Sequence, residues 1–333
     1  MPPVKNNHHN RRQLIKGALA LGAAPLLTAL PQSLSLHAAA PKLGPSFPMI
    51  IRFELGDFEI TNILDTIAMR DGPYPIIGEN ASEAEVQALM KENLLPETRW
   101  QPGFTPTLIN TGQELILFDT GNGDAGSVKR PNGGLLLSQL EAAGYKAADI
   151  DIVIITHGHG DHISGLLEGG KPAFPNARYI FGEREYDFWT TAEMNTDRLK
   201  GGAAKFKKMT EPLKEKITFI SPGMQVLTGI EPVEAFGHTP GHLAFHIESN
   251  GQKLLLWADC AHHHVASLAR PDWHIKFDVD KEEGVKTRKK IFDMAATEKL
   301  PVIGFHMPFP SVGFVEKRHD QGYRWIKHSY QLK

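Results

Sequence analysis

The amino-acid sequence predicts a protein of the α/β class, and three observations support this prediction. Short apolar runs rich in β-branched residues alternate with stretches of helical periodicity, which is the order expected of strands and helices packed in layers. The chain has 333 residues, of which 41% are hydrophobic, so it can bury a large core. Several of the apolar runs also end in His or Asp, which indicates that the predicted strands carry the chemistry at their ends.

The N-terminal residues 1–40 are expected to be an export signal that is removed. The pair Arg11-Arg12 precedes the apolar residues 17–30, and small residues follow at 38–40. This arrangement is typical of a twin-arginine signal. A membrane anchor is the alternative, but the apolar stretch is short for a span and contains Pro25. We therefore expect residues 41–333 to be the mature protein, located in the periplasm and without a membrane segment.

Charge and cysteine content exclude two classes of protein. The formal net charge is −2, which gives no positively charged surface for nucleic acid. The single cysteine excludes an internal disulfide framework. The composition is therefore that of a globular protein with neither a nucleic-acid surface nor disulfide bridges.

The first predicted elements lie before the central motif. Residues 49–67 predict two strands joined by a turn, and residues 82–93 predict a short helix that begins with a capping box. Two strands follow at 107–110 and 114–118, and a helix follows at 133–144.

Asp119 stands at the end of the second of these later strands. A carboxylate at the end of a buried strand needs a partner. A structural turn is one explanation. Near a histidine-rich motif, however, we expect Asp119 to accept a hydrogen bond from a metal-ligating imidazole.

The central motif follows residues 151–155, which predict a buried strand. The next residues are Thr156-His157-Gly158-His159-Gly160-Asp161-His162. Its two glycines let the backbone turn sharply, so that the three histidines and the carboxylate can converge on one point. Neutral imidazole and ionised carboxylate are ligands that Zn²⁺ favours. A polar surface loop is the alternative, but it does not require the strand before the motif or the helix predicted after it.

Downstream of the motif, residues 178–181 predict a strand and residues 183–199 a helix. Residues 200–216 are rich in Lys and Gly and predict a helix only in part. Their cations are expected to form a solvated face.

Three later strands again end in residue types that bind metals. Residues 233–236 lead into Gly237-His238-Thr239-Pro240-Gly241-His242, residues 253–257 lead to Asp259, and residues 301–305 lead to His306. With the central motif, they give five histidines and two aspartates at strand ends. A catalytic zinc normally takes three protein ligands and a water. Seven ligands therefore suit two metal ions and one bridging carboxylate, and we expect two Zn²⁺ per chain, with Mn, Co or Fe as substitutes.

These residues resemble the pattern of the metallo-β-lactamase superfamily, which has His157-x-His159-x-Asp161-His162 followed in order by His238, Asp259 and His306. Segments such as Asp187-Phe188-Trp189 and Phe309-Pro310-Ser311-Val312-Gly313 further resemble methyl parathion hydrolase and its lactonase relatives. The resemblance covers essentially the whole chain after the signal. It implies a single-domain αββα sandwich and, as in relatives of this branch, a homodimer.

The resemblance also implies a role for each candidate ligand. His157, His159 and His238 would hold the first metal. Asp161, His162 and His306 would hold the second, and Asp259 would bridge the two. His242 is expected to make a structural hydrogen bond.

In such a site, hydroxide between two cations attacks an ester or phosphoryl centre, and Asp161 is expected to steer its proton. The acyl-homoserine lactonases carry a tyrosine three residues after the bridging aspartate, where this sequence has His262. His262 either donates a hydrogen bond to the substrate in place of that tyrosine or faces solvent.

Four aromatic residues are candidates for the substrate pocket. Trp189 and Phe206 stand where the parathion hydrolases have aromatic residues around the leaving group, and Trp100 and Phe104 lie in the loop-rich region before the motif. The alternative for Trp189 is a core position on an amphipathic helix. For Trp100 and Phe104, the alternative is to pin their loop to the core.

The sequence therefore predicts a dinuclear zinc hydrolase that opens acyl-homoserine or aryl lactones, with promiscuous aryl-ester and phosphotriester hydrolysis. A dedicated organophosphate hydrolase is the first alternative, and a non-catalytic periplasmic zinc-binding protein is the second. Export argues against glyoxalase II activity, because glutathione thioesters are cytosolic. The absence of a cysteine ligand argues against a β-lactamase.

Overall fold

The computed structural model describes residues 46, 48–191, 193–319 and 322–329. The predicted export signal, residues 1–40, lies outside the described residues. Within the described part of the chain, no helix is both long enough and apolar enough to cross a membrane.

Most of the strands belong to two large sheets, and two short pairs lie outside them. In chain order the strands of the described residues are β1 (Ile50–Leu55), β2 (Phe58–Ile63), β3 (Arg70–Asp71), β4 (Arg99–Trp100), β5 (Thr107–Asn110), β6 (Leu115–Phe118), β7 (Ile152–Ile155), β8 (Leu167–Glu168), β9 (Lys171–Pro172), β10 (Arg178–Gly182), β11 (Ile217–Ile220), β12 (Ile230–Glu234), β13 (Leu243–Ser249), β14 (Gln252–Ala258), β15 (Val302–Gly304), β16 (Val312–Lys317) and β17 (Tyr323–Lys327). The first sheet has the order β1-β2-β5-β6-β7-β10-β11, and the second runs from β12 to β17 in sequence order. β3 pairs with β4, and β8 pairs with β9.

The helices lie in the outer layers and in the loops around the sheet edges. They are α1 (Glu83–Glu92), α2 (Leu136–Ala142), α3 (Gly160–Ile163), α4 (Glu183–Thr191), α5 (Asp197–Thr210), α6 (Ala266–Ala269) and α7 (Lys281–Glu298), with 3₁₀ turns at Ala147–Asp149, Ser164–Leu166 and Glu211–Lys216. α1 begins with the predicted capping box, in which the Glu85 backbone N–H donates to Ser82 Oγ and the Ser82 N–H donates to Glu85.

The period of two in the strands divides the core into layers. In β7, Ile152 and Ile154 pack against the second sheet, whereas Val153 and Ile155 pack against α2, α4 and α5. β14 shows the same alternation, because Leu254 and Leu256 face the first sheet. The intervening residues of β14 face α7. Two sheets lie between two helical layers, which confirms the predicted αββα sandwich.

Two predictions about the helices were wrong. The helix predicted over 183–199 is two helices, because Thr196 caps a new one by accepting the Leu199 N–H at 3.3 Å. Residues 200–216 were expected to be only partly helical, yet α5 continues to Thr210 through Gly201 and Gly202. α5 buries Leu199, Ala203, Phe206 and Met209 along one face, and this packing outweighs the poor helix propensity of the glycines.

The strand order places the candidate ligands at one edge of the sandwich. β6 and β7 run parallel in the first sheet, and β14 and β15 run parallel in the second. Their carboxyl ends lead to Asp119, the central motif, Asp259 and His306, respectively. The backbone is left-handed at Asp119, with φ +59°, and at Ala258, with φ +48°. Non-glycine residues in this conformation are strained and concentrate at functional sites.

Candidate metal centre and its pocket

Three histidines form the first group of candidate ligands. His157 Nε2 lies 3.1 Å from His159 Nδ1, and His159 Nδ1 lies 2.9 Å from His238 Nε2. His157 and His238 are buried, and His159 is half-buried. The three ring nitrogens therefore converge on one point, as the sequence predicts, and their atoms are close enough to hold one metal ion.

A second group contains Asp161, His162 and His306. The Oδ2 atom of Asp161 lies 3.8 Å from His162 Nε2 and 3.5 Å from His306 Nε2. These three side chains also lie within reach of one metal ion.

The carboxylate of Asp259 lies between the two groups. Its Oδ2 is 3.4 Å from His238 Nε2 and 3.0 Å from His306 Nε2. Its Oδ1 is 3.3 Å from His162 Nε2. The side chain is buried, so one carboxylate faces both groups of ligands. This is the position expected of a bridging ligand.

Hydrogen bonds on the outer side fix the orientation of several ligand rings. Nδ1 of His162 donates to Asp119 Oδ2 at 2.8 Å, Nδ1 of His238 donates to Asp278 Oδ1 at 2.8 Å, and Nδ1 of His306 donates to the Gly103 carbonyl at 2.7 Å. When Nδ1 of a neutral imidazole carries the proton, the lone pair on Nε2 faces the centre.

The polar atoms at the centre fit divalent cations. His162 Nε2 and Asp259 Oδ1 are buried and have no hydrogen-bond partner within the described chain, although only 3.3 Å separates them. Buried polar atoms without partners are rare unless a ligand satisfies them. Imidazole nitrogens and carboxylate oxygens are the donors that zinc and similar metals favour.

Electrostatics in the cluster favours a cation. Burial and neighbouring imidazoles lower the pKa of His157 and His159 well below the usual value, so both offer lone pairs at neutral pH. Burial opposes charge on His238, but hydrogen bonds with Asp259 and Asp278 outweigh it and raise the pKa to about 9. The negative charge that stabilises a proton on His238 also attracts a metal ion, and the metal ion competes with that proton.

Asp119 occupies the orienting position predicted from the sequence. Its Oδ1 accepts the Thr156 N–H at 2.9 Å, and its Oδ2 accepts the Thr156 hydroxyl at 2.8 Å as well as the His162 ring. The side chain thereby joins the end of β6 to the start of the motif.

Two buried carboxylates that support the centre were missed from the sequence. Asp278 accepts from His238 and forms an ion pair with Arg288 at 2.9 Å. The second carboxylate is Glu185. Asp278 lies in a loop and Glu185 in a helix, so neither stands at the end of a strand, which is the signal that marks the ligands in the sequence.

Glu185 is 1% exposed and accepts four hydrogen bonds. The donors are the backbone N–H of Gly158 and Gly241, the Thr239 hydroxyl and Trp189 Nε1, at 2.6–3.0 Å. Glu185 therefore ties α4 to the central motif and to the turn that carries His238.

Other residues near the ligands have structural roles. His242 Nδ1 donates to the Ala235 carbonyl, and its Nε2 accepts the Asp259 N–H at 3.2 Å, as expected for a structural histidine. His263 Nδ1 accepts the N–H of Val265 and Ala266, which fixes a turn. Cys260 is buried, and burial raises the pKa of its thiol.

A pocket of about 320 Å³ opens over the candidate ligands. Three of the four predicted aromatic residues, Trp100, Phe104 and Trp189, line it. Trp189 is nevertheless 1% exposed, so it belongs to both the core and the pocket wall. The prediction for Phe206 was wrong: it is fully buried and stacks behind Trp189 at 6.2 Å between ring centroids. His262 also lines the pocket and does not face solvent.

Three cations that the sequence did not place in the site also line the pocket. They are Arg70, Arg198 and Lys205. The cations of residues 200–216 were expected to face solvent. For Lys205 this prediction was wrong, because Lys205 lines the pocket. Because α5 packs beside the motif, Lys205 points towards Gly160.

Comparison with known proteins identifies relatives of the same architecture. The family model of the metallo-beta-lactamase superfamily matches residues 105–294. The chain is 30% identical over 121 residues to an N-acyl homoserine lactonase from Bacillus cereus, a match that covers 36% of this chain and 42% of that protein.

Two solved structures are similar over most of the chain. AidC, a dizinc quorum-quenching lactonase in complex with a product, N-hexanoyl-L-homoserine, superposes with a TM-score of 0.80 at 27% identity, covering 85% of this chain and 98% of AidC. The hydrolase AbOPH of the beta-lactamase superfamily superposes with a TM-score of 0.78 at 26% identity, covering 86% of this chain and 100% of AbOPH.

Proposed function

The chain belongs to the metallo-β-lactamase superfamily, and from this premise we propose that it is a dinuclear zinc hydrolase that opens lactones. N-acyl homoserine lactones are the first class to test, because two lactonases are among its relatives. Hydrolysis of aryl esters and phosphotriesters is a secondary activity in this proposal. Arg11-Arg12 support export to the periplasm as the place of action.

The position of Asp259 carries the proposal. Its carboxylate lies within 3.4 Å of ring nitrogens from both ligand groups, which suits a bridge between two cations. When bound, such cations supply Lewis acidity and lower the pKa of water towards neutrality. The seven side chains at the centre include no Ser, Thr or Cys, and in this proposal water is the attacking group.

The chain's own residues have distinct tasks in this proposal. Asp161 directs Oδ2 at His162 and His306, which leaves Oδ1 to accept a proton from the attacking water. Trp100, Phe104 and Trp189 hold the apolar part of the ester and exclude bulk water from the reacting carbonyl.

The test is a panel of substrates for the zinc-loaded protein that lacks residues 1–40. The panel contains N-hexanoyl-homoserine lactone, dihydrocoumarin, methyl parathion and nitrocefin. We expect both lactones to be opened fastest, methyl parathion to be cleaved slowly and nitrocefin to remain intact. Chelation should abolish turnover, and added zinc should restore it.

Other results would select the alternatives. Dominant cleavage of methyl parathion would replace the lactonase by a dedicated organophosphate hydrolase. No turnover of any substrate by protein with full metal content would contradict a hydrolase of these esters and leave a zinc-binding protein.

His262 is proposed to donate a hydrogen bond to the substrate. Its Nδ1 is buried and has no hydrogen-bond partner within the described chain, its Nε2 lies 3.4 Å from Asp259 Oδ2, and the ring stacks on His306 at 5.2 Å between centroids. We expect His262→Ala to lower kcat for lactones roughly 10- to 100-fold, somewhat below the loss of an oxyanion donor.

Metal content separates this role from metal binding. His238, Asp259 and His262 also lie close enough to hold a metal, so a loss of zinc in His262→Ala would identify a ligand and contradict the proposed donor. His264→Ala is the control, because His264 is a neighbouring histidine outside the pocket lining.

A further inference from the structure

One face of α5 forms part of the pocket wall. Arg198, Gly201, Gly202 and Lys205 all line the pocket. Positions separated by three, four and seven residues lie on the same face of a helix. The Cα atoms of Arg198 and Lys205 therefore lie about 10 Å apart along the helix axis, with the glycines between them.

The glycines keep space free on this face. Glycine in a helix interior costs about 1 kcal/mol relative to alanine, so a pair of them indicates a packing or binding requirement. A Cβ on Gly202 would lie 2.7 Å from Trp189 Cζ3. A Cβ on Gly201 would meet nothing within 4 Å, so at this position the helix borders open space.

The cations of the pocket have neutral partners. Lys205 Nζ donates to the Ala125 carbonyl at 3.0 Å and to Ser164 Oγ at 3.3 Å. Arg198 donates to the Phe277 carbonyl at 3.4 Å, and the Arg70 guanidinium lies 5.4 Å from the Phe104 ring centroid. Within the described ranges, none of the three cations forms an ion pair with a carboxylate.

The carboxylates nearest to these cations are engaged elsewhere. Asp161 and Asp259 face the candidate ligand histidines. Asp278 pairs with Arg288 and His238, and Glu79 pairs with Lys281 Nζ at 2.6 Å. The pocket thus has an excess of positive charge, which bound metal would increase. Burial lowers the pKa of Arg70 and Lys205, and the negative charge of Asp161 offsets this shift only in part.

We infer that this pocket recognises an anionic group on the substrate, which the positive charges of Arg70, Arg198 and Lys205 attract while the ester lies over the metal ligands. The inference rests on the proposed function and narrows its substrate class to lactones or esters whose acyl part carries an anion such as a carboxylate. A cleft lined by one sign of charge concentrates ligands of the opposite sign. Arginine and lysine also form charge-assisted hydrogen bonds with carboxylates.

The test compares two lactones that have the same number of heavy atoms and differ in charge. They are N-succinyl-homoserine lactone, which carries a carboxylate, and N-(4-methylpentanoyl)-homoserine lactone, which is neutral. At low salt we expect kcat/KM to be at least about tenfold higher for the succinyl compound. This preference should weaken as salt is added.

Variants identify the source of the preference. Lys205→Gln, Arg198→Gln and Arg70→Gln should each lower the ratio of the two kcat/KM values, and the Arg198→Gln/Lys205→Gln double variant should remove most of it. Lys207→Gln is the matched control, because Lys207 is an exposed lysine of the same helix outside the pocket lining. A ratio near one in the wild type, or a ratio that the pocket variants leave unchanged, would overturn the inference while the lactonase proposal stands.

A binding measurement covers the case in which neither lactone is opened and the lactonase proposal fails. The corresponding lactams, with N–H in place of the ring oxygen, are titrated calorimetrically into the zinc-loaded protein. Binding of the succinyl lactam at least about tenfold tighter, lost in the double variant, would support the anion site. Equal binding of the two lactams, or binding of neither, would overturn it.

Discussion

An Asp259→Ala variant is expected to lose more than about 100-fold of the kcat/KM for lactones, together with most of its bound metal. Residues that only orient a ligand typically contribute roughly 10- to 100-fold, and Asp259 is proposed to contact both metals directly. Its removal also leaves the ring nitrogens of His162, His238 and His306 without the carboxylate that faces them. The loss should therefore exceed that caused by any variant of an orienting residue.

The measurement is zinc content after dialysis, determined together with kcat/KM and thermal unfolding. Asp259→Asn keeps the size of the side chain and removes the charge, so it separates loss of the bridge from loss of the fold. Asp272→Ala, at an exposed aspartate, is the control and should behave as the wild type. A folded Asp259→Ala protein that keeps two zinc ions and its activity would refute the proposed bridging role.

Replacing Glu185 with alanine is expected to have the largest effect on stability. The substitution would leave four buried donors without an acceptor, those of Gly158, Trp189, Thr239 and Gly241. Each unsatisfied group costs about 1–3 kcal/mol, although such losses are not additive. We expect the free energy of unfolding to fall by about 4 kcal/mol, a large part of the roughly 5–15 kcal/mol available to a typical domain.

Glu185→Ala should also weaken metal binding, because Gly158 and the turn at 239–241 position His157, His159 and His238. Urea unfolding is measured with and without chelator, since bound metal itself adds to the apparent stability. Glu183→Ala, at an exposed position of the same helix, should change stability by no more than about 0.5 kcal/mol. Unchanged stability and metal affinity in Glu185→Ala would show that the four hydrogen bonds do not support the site.

The candidate ligands could be predicted because each stands at the end of an apolar strand or in the short segment that follows it. A strand of a packed sandwich has a fixed direction and a period of two, so its last residue is delivered to a known edge. His157, His159, Asp161 and His162 are moreover close in sequence, and the glycines between them permit convergence. The fold class, the hairpins and the capped helix α1 follow from similarly local patterns.

Only the tertiary structure decided what surrounds these ligands. Glu185 and Asp278 reach the centre from a helix and a loop, where a buried carboxylate has no periodic marker in the sequence. In the sequence, nothing distinguishes Lys205 from the solvent-exposed lysines near it. Only the packing of α5 against the motif places it in the pocket wall. Phe206 lies on the face of α5 that is buried in the core, so it stacks behind Trp189 and does not reach the pocket.

The difference between what the sequence determined and what only the tertiary structure decided has a physical cause. Local patterns in the sequence determined the α/β class and the residue types at the metal-binding edge, because strand period, turn residues and ligand types act over a few neighbouring positions. The αββα layers were implied by the family resemblance. The pocket's charge, the buried supports of the histidines and the choice between core and wall for each aromatic residue depend on which helix face meets which strand end. That choice is made by packing between segments far apart in the chain, as in the contact of Glu185 with Gly158 and Gly241.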